Sequence, residues 1–414
     1  MKRSRHIFVA AFALVAAAML VAACGGGTAA PAATSAPAAA PTKAAAAPAG
    51  ATSAPAAKPA ASANPIAIKV GLLAPLSGPN KTFGVSTENA FNLAVSEANA
   101  TGKVKITTDI SDDKSDPTEG VNAATKEITQ DQVKAIVGPV TSNVAIPVSD
   151  LAESNKVVMI SSTATNPQVT VVNGKRKDYV FRACFIDPFQ GQVMAKFVSS
   201  NLKLKTAAVM YDNSNDYSKG LAQFFQDNFK KDGGTITNSE AYNTNDTDFS
   251  AALTKIAASK PDFLYLPDYY QKVSLIAQEA RQKGVTAVFG GGDGWDSPDL
   301  DMKAVDGGYF SNHYSAQSTA PEVQQWVSKY KAKYGSEPDA LATLAYDGSN
   351  LLINAIETAG SSDPTKIRDA MQATKDFPAV TGKISFDKDG NPVKSAVIIQ
   401  IKNGKQNFVT NIAP

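Results

Sequence analysis

AIVGPVTSNVAIPVSDLAESNKVVMISSTATNP, residues 135–167, holds two short apolar runs, Ala135–Val137 and Val157–Ile160. Each leads directly into small hydroxyl residues: Thr141-Ser142-Asn143 after the first, Ser161-Ser162-Thr163-Ala164-Thr165 after the second. Between them Val144, Val148, Leu151 and Ala152 recur at helical spacing, so the stretch reads as strand–helix–strand. Parallel strands joined by a helix end on the same edge of a sheet, and ligands of open α/β sheets sit at that carboxyl edge. Two hydroxyl loops there, each expected beside a helix start with free N–H groups, suit a carboxylate or another small anion. Helix capping competes with this reading, because Ser, Thr and Asn are ordinary caps and Ser142 or Asn143 could serve as one. Five small residues in the second loop exceed what a cap requires, which favours a site.

Outward from this unit the chain keeps alternating. Strands are expected at Ala67–Ala74 and Val104–Ile110, with helices at Phe83–Ala100 and from Asp116-Pro117 to Thr129. A second series runs through strands Tyr179–Ala183, Ala207–Tyr211, Ile236–Ala241, Phe263–Leu266, Ala287–Phe289 and Gly307–Asn312. Helices Pro188–Leu202, Tyr217–Lys231, Phe249–Ala258 and Val273–Lys283 separate them. Helices Pro321–Tyr334 and Ala340–Ala359 lead to strands near Ile384–Phe386 and Ala396–Ile401. The expected fold class is α/β, with two doubly wound lobes and a cleft between their carboxyl edges. A folded part from Ile66 onward exceeds the ~250–300 residues one core supports.

The N-terminus is of another kind. Lys2, Arg3 and Arg5 precede an apolar run, Ile7–Val21, too short and too small in side-chain volume for a permanent span, so residues 1–23 read as an export signal. It ends Val21-Ala22-Ala23-Cys24, and small residues before a cysteine resemble the bacterial lipoprotein signal, making Cys24 the expected lipidation site. Gly25–Pro65 contains only Gly, Ala, Pro, Ser, Thr, Asn and Lys. Without large apolar residues it cannot offset its ordering entropy, and reads as a tether reaching roughly 35 Å.

Composition narrows the chemistry. The 40 Lys+Arg nearly balance the 38 Asp+Glu, and no basic stripe appears, which argues against nucleic acid. Beyond the leader there is one histidine, His313, and beyond Cys24 one cysteine, Cys184. Neither lies in a nucleophile motif, and zinc sites need clustered Cys and His. No enzyme activity, metal or cofactor is expected, and Cys184 reads as a core residue. The run Phe289-Gly290-Gly291-Gly292-Asp293-Gly294-Trp295 lacks the Gly-Lys-Ser/Thr ending of a phosphate loop. It is either a tight turn or a place where a ligand approaches the backbone, and the residues alone leave both open.

Taken in order, Leu76-Ser77-Gly78-Pro79, Asp112-Asp113, Ile136-Val137-Gly138-Pro139, Ser161–Pro167, Asp212 with Tyr217 and Gly220, Asp248-Phe249-Ser250 and Gly382–Asp387 resemble the type I periplasmic binding proteins. The similar group is the branched-chain amino-acid (Leu/Ile/Val) receptors of ABC importers, over about Ile66 to Val409. The resemblance implies two lobes, residues 66–185 with 314–390 and residues 186–313 with 391–414, joined by three crossover strands and closing on an amino acid. It implies that Ser142, Ala164 and Thr165 hold the ligand's carboxylate, with Thr163 offering backbone contacts, and that Asp293 faces its ammonium group. Phe83, Tyr217 and Tyr269 would line the pocket. The positions of the family's disulfide are Ser115 and Thr141 here, Asp293 is shorter than the usual glutamate, and Trp295 is bulky. The implied protein is a monomeric, extracytoplasmic lipoprotein, anchored to the membrane, that delivers a small aliphatic amino acid to ABC permease subunits. An amide, urea or small carboxylate ligand is the alternative, as is a module that senses a ligand and signals to a membrane partner.

Overall fold

The computed structural model describes residues 64–414; the leader, Cys24 and nearly all of the tether lie outside the described residues. The first sheet contains β1 (Ile66–Ala74), β2 (Val104–Asp112), β3 (Ala135–Val137), β4 (Val158–Ser161) and, after a hairpin of β5 (Val171–Val172) and β6 (Lys175–Arg176), β7 (Val180–Arg182). Its order is β2-β1-β3-β4-β7, parallel throughout. β3 and β4 are buried along their whole length, as parallel strands covered on both faces must be. Helices α1 (Lys81–Ala100), α2 (Pro117–Thr129) and α3 (Ser142–Asn155) make the crossovers. Asp116 starts α2 by accepting from Thr118 N at 2.8 Å and Glu119 N at 3.0 Å, with Pro117 in the first turn, where its missing N–H costs nothing.

The second sheet repeats the scheme. α4 (Asp187–Lys196), β8 (Thr206–Asp212), α5 (Asp216–Lys231), β9 (Thr235–Tyr242), α6 (Ser250–Ser259), β10 (Phe263–Tyr265), α7 (Tyr270–Gln282), β11 (Val288–Gly291) and β12 (Tyr309–Asn312) alternate as expected. Three helices then return to the first sheet: α8 (Pro321–Tyr334), α9 (Ala340–Ala359) and α10 (Pro364–Gln372). Trp326 and Tyr330 of α8 and Ala342 and Ala345 of α9 share a core with Ala90 and Leu93 of α1. After a hairpin of β13 (Phe377–Ala379) and β14 (Gly382–Ile384), β15 (Ala396–Lys402) and β16 (Lys405–Ile412) join the second sheet antiparallel, giving the order β16-β15-β12-β11-β10-β8-β9. The doubly wound α/β architecture is borne out, and this antiparallel edge is added to it. The chain passes between the sheets three times, after Arg182, after Asn312 and before Ala396.

Two expectations are corrected. The second hydroxyl cluster is followed by a single 3-10 turn, Pro167–Val169, capped by Asn166, and not by a helix start. The strand expected at Ala287–Phe289 runs on through Gly290 and Gly291, so half of the glycine run is sheet.

Glu127 of α2 is wholly buried beside the Ser111 hydroxyl, and burial pushes its pKa from 4.5 to about 8. A carboxyl raised in the folded state costs nothing below its unfolded value and destabilises increasingly as pH climbs towards the folded one. Glu127→Gln keeps the shape and cannot ionise. It is expected to raise the melting temperature by several degrees at pH 8 and to leave it nearly unchanged at pH 4, as read by calorimetric scans.

Candidate ligand-binding site

Carboxyl ends of both sheets converge on one narrow cavity of about 10 Å³, lined by Phe83, Val140, Thr141, Ser142, Thr163, Tyr217, Tyr269, Asp293, Gly294 and Leu341. That is room for about one water, so a larger ligand enters only when the two walls part. The two halves meet around it. Tyr270 donates its hydroxyl to Pro79 O at 2.9 Å, Asn166 Nδ2 donates to Asp216 O at 3.0 Å, and the Thr82 and Ser297 hydroxyls lie 2.9 Å apart. Phe83 sets its edge against Tyr269 and Tyr270, with ring centres 5.8 and 5.2 Å away.

On the first sheet's side no side chain caps α3. Thr141 is the cap residue of α3, yet its side chain makes no capping hydrogen bond, and its hydroxyl is buried without a partner. Val144 N already donates to Thr141 O at 3.2 Å, so the N–H groups left at this end are those of Ser142, which the Tyr269 hydroxyl approaches, and Asn143, where a helix N-terminus favours an anion. Ser142 Oγ accepts from Asn166 N at 3.3 Å, which leaves its own proton for a ligand. The second loop is tied to the first: Ser161 Oγ donates to Pro139 O at 2.7 Å and Thr163 Oγ1 to Val140 O at 2.8 Å. Thr163 thus spends its hydroxyl on structure, whereas the buried Thr165 hydroxyl lies against Asp187. Beneath this loop Arg182, wholly buried, donates to Ala164 O at 2.8 Å, Asn166 O at 3.0 Å and Thr170 Oγ1 at 3.1 Å. Burial draws the guanidinium pKa below its ordinary value. Among the described residues its charge is held by the loop rather than by an ion pair.

The second sheet supplies the acid. Asp293 Oδ1 accepts from Gln190 Nε2 at 2.8 Å and from the Tyr217 hydroxyl at 2.9 Å, and Oδ2 meets His313 Nε2 at 3.1 Å. Among the described residues no lysine or arginine pairs with it, and His313 is the one neighbour within reach that a proton could make cationic. Tyr217 also accepts from Gly294 N at 3.1 Å, which fixes the turn carrying the acid. The glycines are there for close packing. None of Gly290, Gly291, Gly292 and Gly294 has a positive φ. A Cβ on Gly292 would come within 2.5 Å of the Tyr217 hydroxyl, and one on Gly291 within 2.1 Å of Trp295 Nε1. The glycines therefore admit close side-chain packing, from Tyr217 of the pocket and from Trp295 behind it, beside a 3-10 turn at Asp293–Trp295. Trp295 points away from the pocket, wholly buried and donating to Leu266 O at 3.0 Å, and its bulk takes nothing from the ligand space.

Six of the eight expected pocket residues line this space: Phe83, Ser142, Thr163, Tyr217, Tyr269 and Asp293. Ala164 and Thr165 do not, since they sit one layer back, with Ala164 N bound to Ser161 Oγ and the Thr165 carbonyl accepting from Asp187 N. Cys184 is a buried free thiol, donating to Ala164 O at 3.4 Å and pushed up to about 12 by burial, as a core residue should be. Asp187 was not anticipated. It is wholly buried against the Thr165 hydroxyl, and burial raises its pKa to about 8. Gln190, Arg182 and His313 were missed as well. A lone arginine inside a buried strand was a usable signal, because a charge there must find acceptors.

Comparison with known proteins agrees with this geometry. The periplasmic binding protein family model matches residues 67–406. The Leu/Ile/Val-binding protein BraC3 of Rhizobium johnstonii is 33% identical over 330 residues, 78% of this chain and 88% of its own length. A leucine-, isoleucine-, valine-, threonine- and alanine-binding protein of Pseudomonas aeruginosa is 30% identical, over 78% of this chain and 87% of its own. The leucine-binding protein LivK of Thermotoga maritima superposes with a TM-score of 0.79 at 37% identity, covering 84% of this chain and 99% of its own. LivJ of Streptococcus pneumoniae, in complex with isoleucine, gives 0.78 at 34% identity, with 84% and 100% covered. With its fold, its cleft and these relatives in agreement, the chain belongs to the periplasmic binding protein family, in the branched-chain amino-acid group of ABC-transporter substrate-binding proteins.

Proposed function

We propose that this protein captures a small aliphatic amino acid in the cleft and delivers it to ABC permease subunits from outside the cytoplasm. One observation carries the reading: an uncapped helix start with an unspent Ser142 proton faces, across the cleft, a carboxylate held only by Gln190, Tyr217 and His313. A zwitterion supplies both missing charges, its carboxylate to α3 and its ammonium to Asp293. Phe83, Val140 and Leu341 offer the apolar surface for a short side chain. Ala164 and Thr165 shape the anion loop from behind, and the lobes are residues 66–185 with 314–390 and 186–313 with 391–414. Cys24 carries the lipid anchor, and two or more acyl chains at ~0.8 kcal/mol per buried methylene hold it at the membrane. Cys24→Ser is expected to move the protein from the membrane to the soluble fraction; an unchanged distribution removes the anchor.

A thermal-shift screen of the twenty amino acids with small amides, urea and carboxylates tests the ligand class. A saturating ligand at ~100 times its Kd adds about 2.7 kcal/mol of stability. The largest shifts are expected from leucine, isoleucine and valine, and a larger shift from an amide or a simple carboxylate would replace the amino-acid reading. Because contacts are divided between the lobes, ligand favours the closed form through differential affinity. Tyr217→Ala and Tyr269→Ala are therefore expected to weaken both binding and the ligand-induced compaction seen by small-angle scattering. Compaction unchanged in both variants would remove the tyrosines from closure.

A further inference from the structure

His313 stands at the end of β12, wholly buried, and is the only histidine among the described residues. Its ring is stacked on Phe185, with centres 3.7 Å apart and planes 26° from parallel, so its orientation is fixed. Nε2 lies 3.1 Å from Asp293 Oδ2, while Nδ1 is buried without a partner. An imidazolium here would bury an N–H with nothing to accept it, whereas the neutral Nε2–H tautomer leaves only a lone pair unmet and still donates to Asp293. Three groups set the local field. Asp293, from the turn after β11, and Asp296, three residues on, favour the charged ring; Lys394, from the segment before β15, opposes it. Burial outweighs the acids and draws the histidine below its ordinary pKa.

We propose that His313 is a specificity-determining positioning residue: a neutral donor that fixes Asp293 in the cleft without cancelling its charge, so that the site selects ligands bearing a cation. The inference rests on the proposed function and adds to it the reason why the acid's charge is available. Gln190 and Tyr217 are neutral donors too, so the carboxylate reaches the ligand oriented by three bonds and paid for by no resident cation. If His313 gained a proton, it would become that cation at 3.1 Å. An ammonium ligand would then meet a neutral pair, and a ligand without one would lose its handicap.

The test uses L-leucine and isocaproate, the same skeleton without the amino group, on wild type, His313→Gln and His313→Leu. Gln keeps a neutral donor that cannot titrate; Leu keeps bulk and removes the donor. Calorimetry at pH 7.5 is expected to find leucine affinity within about threefold of wild type for Gln and at least about tenfold weaker for Leu. Nitrogen NMR of the ring, assigned by its loss in His313→Gln, is expected to read a neutral Nε2–H at the same pH and to give the histidine pKa on acidification. Below that pKa, leucine affinity of wild type relative to His313→Gln should fall by up to tenfold per pH unit, the limit for release of one proton on binding. The preference for leucine over isocaproate should shrink with it. A charged ring at pH 7.5, a His313→Leu variant that binds leucine like wild type, or identical acid profiles for wild type and His313→Gln would each overturn the role of His313. A wild type that binds no leucine at pH 7.5 overturns the proposed function instead, and the inference falls with it.

Discussion

Asp293→Asn is expected to weaken L-leucine binding by roughly 2–5 kcal/mol, the usual size for truncating one partner of a buried charged contact. The substitution keeps the shape of the side chain and the oxygen that Gln190 and Tyr217 bond, removes the charge, and turns the other oxygen into a donor that His313 meets by presenting its Nε2 lone pair. Nothing else in the pocket replaces it, since Asp293 is the one acid among the ten lining residues. The Tyr217 hydroxyl packs against the Gly292 backbone, 2.5 Å from where a Cβ would stand, and leaves the turn little room to shift. Ser142→Ala is expected to cost less, because the N–H groups left at the start of α3 still face the carboxylate. Titration calorimetry of both variants ranks the two losses. Equal binding by wild type and Asp293→Asn would reduce Asp293 to a structural residue.

Arg182→Met has the second large expected effect, and it falls on stability. The guanidinium satisfies the carbonyls of Ala164 and Asn166 and the Thr170 hydroxyl from a wholly buried position. Methionine fills most of the space and satisfies none of them. Ala164 O keeps Cys184 Sγ, Asn166 O keeps Val169 N and the Thr170 hydroxyl keeps Asn391, so what is lost is three bonds to a charged donor, worth about 1–1.5 kcal/mol each and together roughly 3–5 kcal/mol in denaturant unfolding. The anion loop should loosen with it, and leucine affinity should fall although Arg182 lines no part of the pocket. A stability within ~0.5 kcal/mol of wild type, the range of ordinary surface substitutions, would mean that the loop holds its shape without the arginine.

Fold and site were legible to different depths. Helices Pro321–Tyr334 and Ala340–Ala359 were placed to the residue, because apolar spacing and their flanking residues act locally. The α10 helix was overlooked, although Asp363-Pro364 repeats the Asp116-Pro117 start signal, and Asp363 caps Lys366 N as Asp116 caps its own helix. β16 was overlooked for another reason: an edge strand that buries little carries no apolar run to find. In the site, residues that present hydroxyls, aromatic faces or an acid at strand ends could be named from sequence. Those that act by holding others could not. His313, Gln190 and Arg182 matter through bonds to residues far along the chain, such as Gln190 to Asp293, and those pairings exist only once the sheets are packed. The loop hydroxyls divide in the same way: Thr163 and Ser161 look equivalent to Thr141 in sequence, and only the fold decides which are already spent.

On the proposed function, two charges, one at each end of a small molecule, close this cleft together. The most direct measurement is calorimetry of wild type with L-leucine, isocaproate and isopentylamine, which share one apolar skeleton and differ in which charged group is missing. Leucine is expected to bind and both truncated ligands to lose at least about a hundredfold in affinity, which is about 2.8 kcal/mol at about 1.4 kcal/mol per factor of ten. Either truncated ligand binding as tightly as leucine would contradict the proposed function.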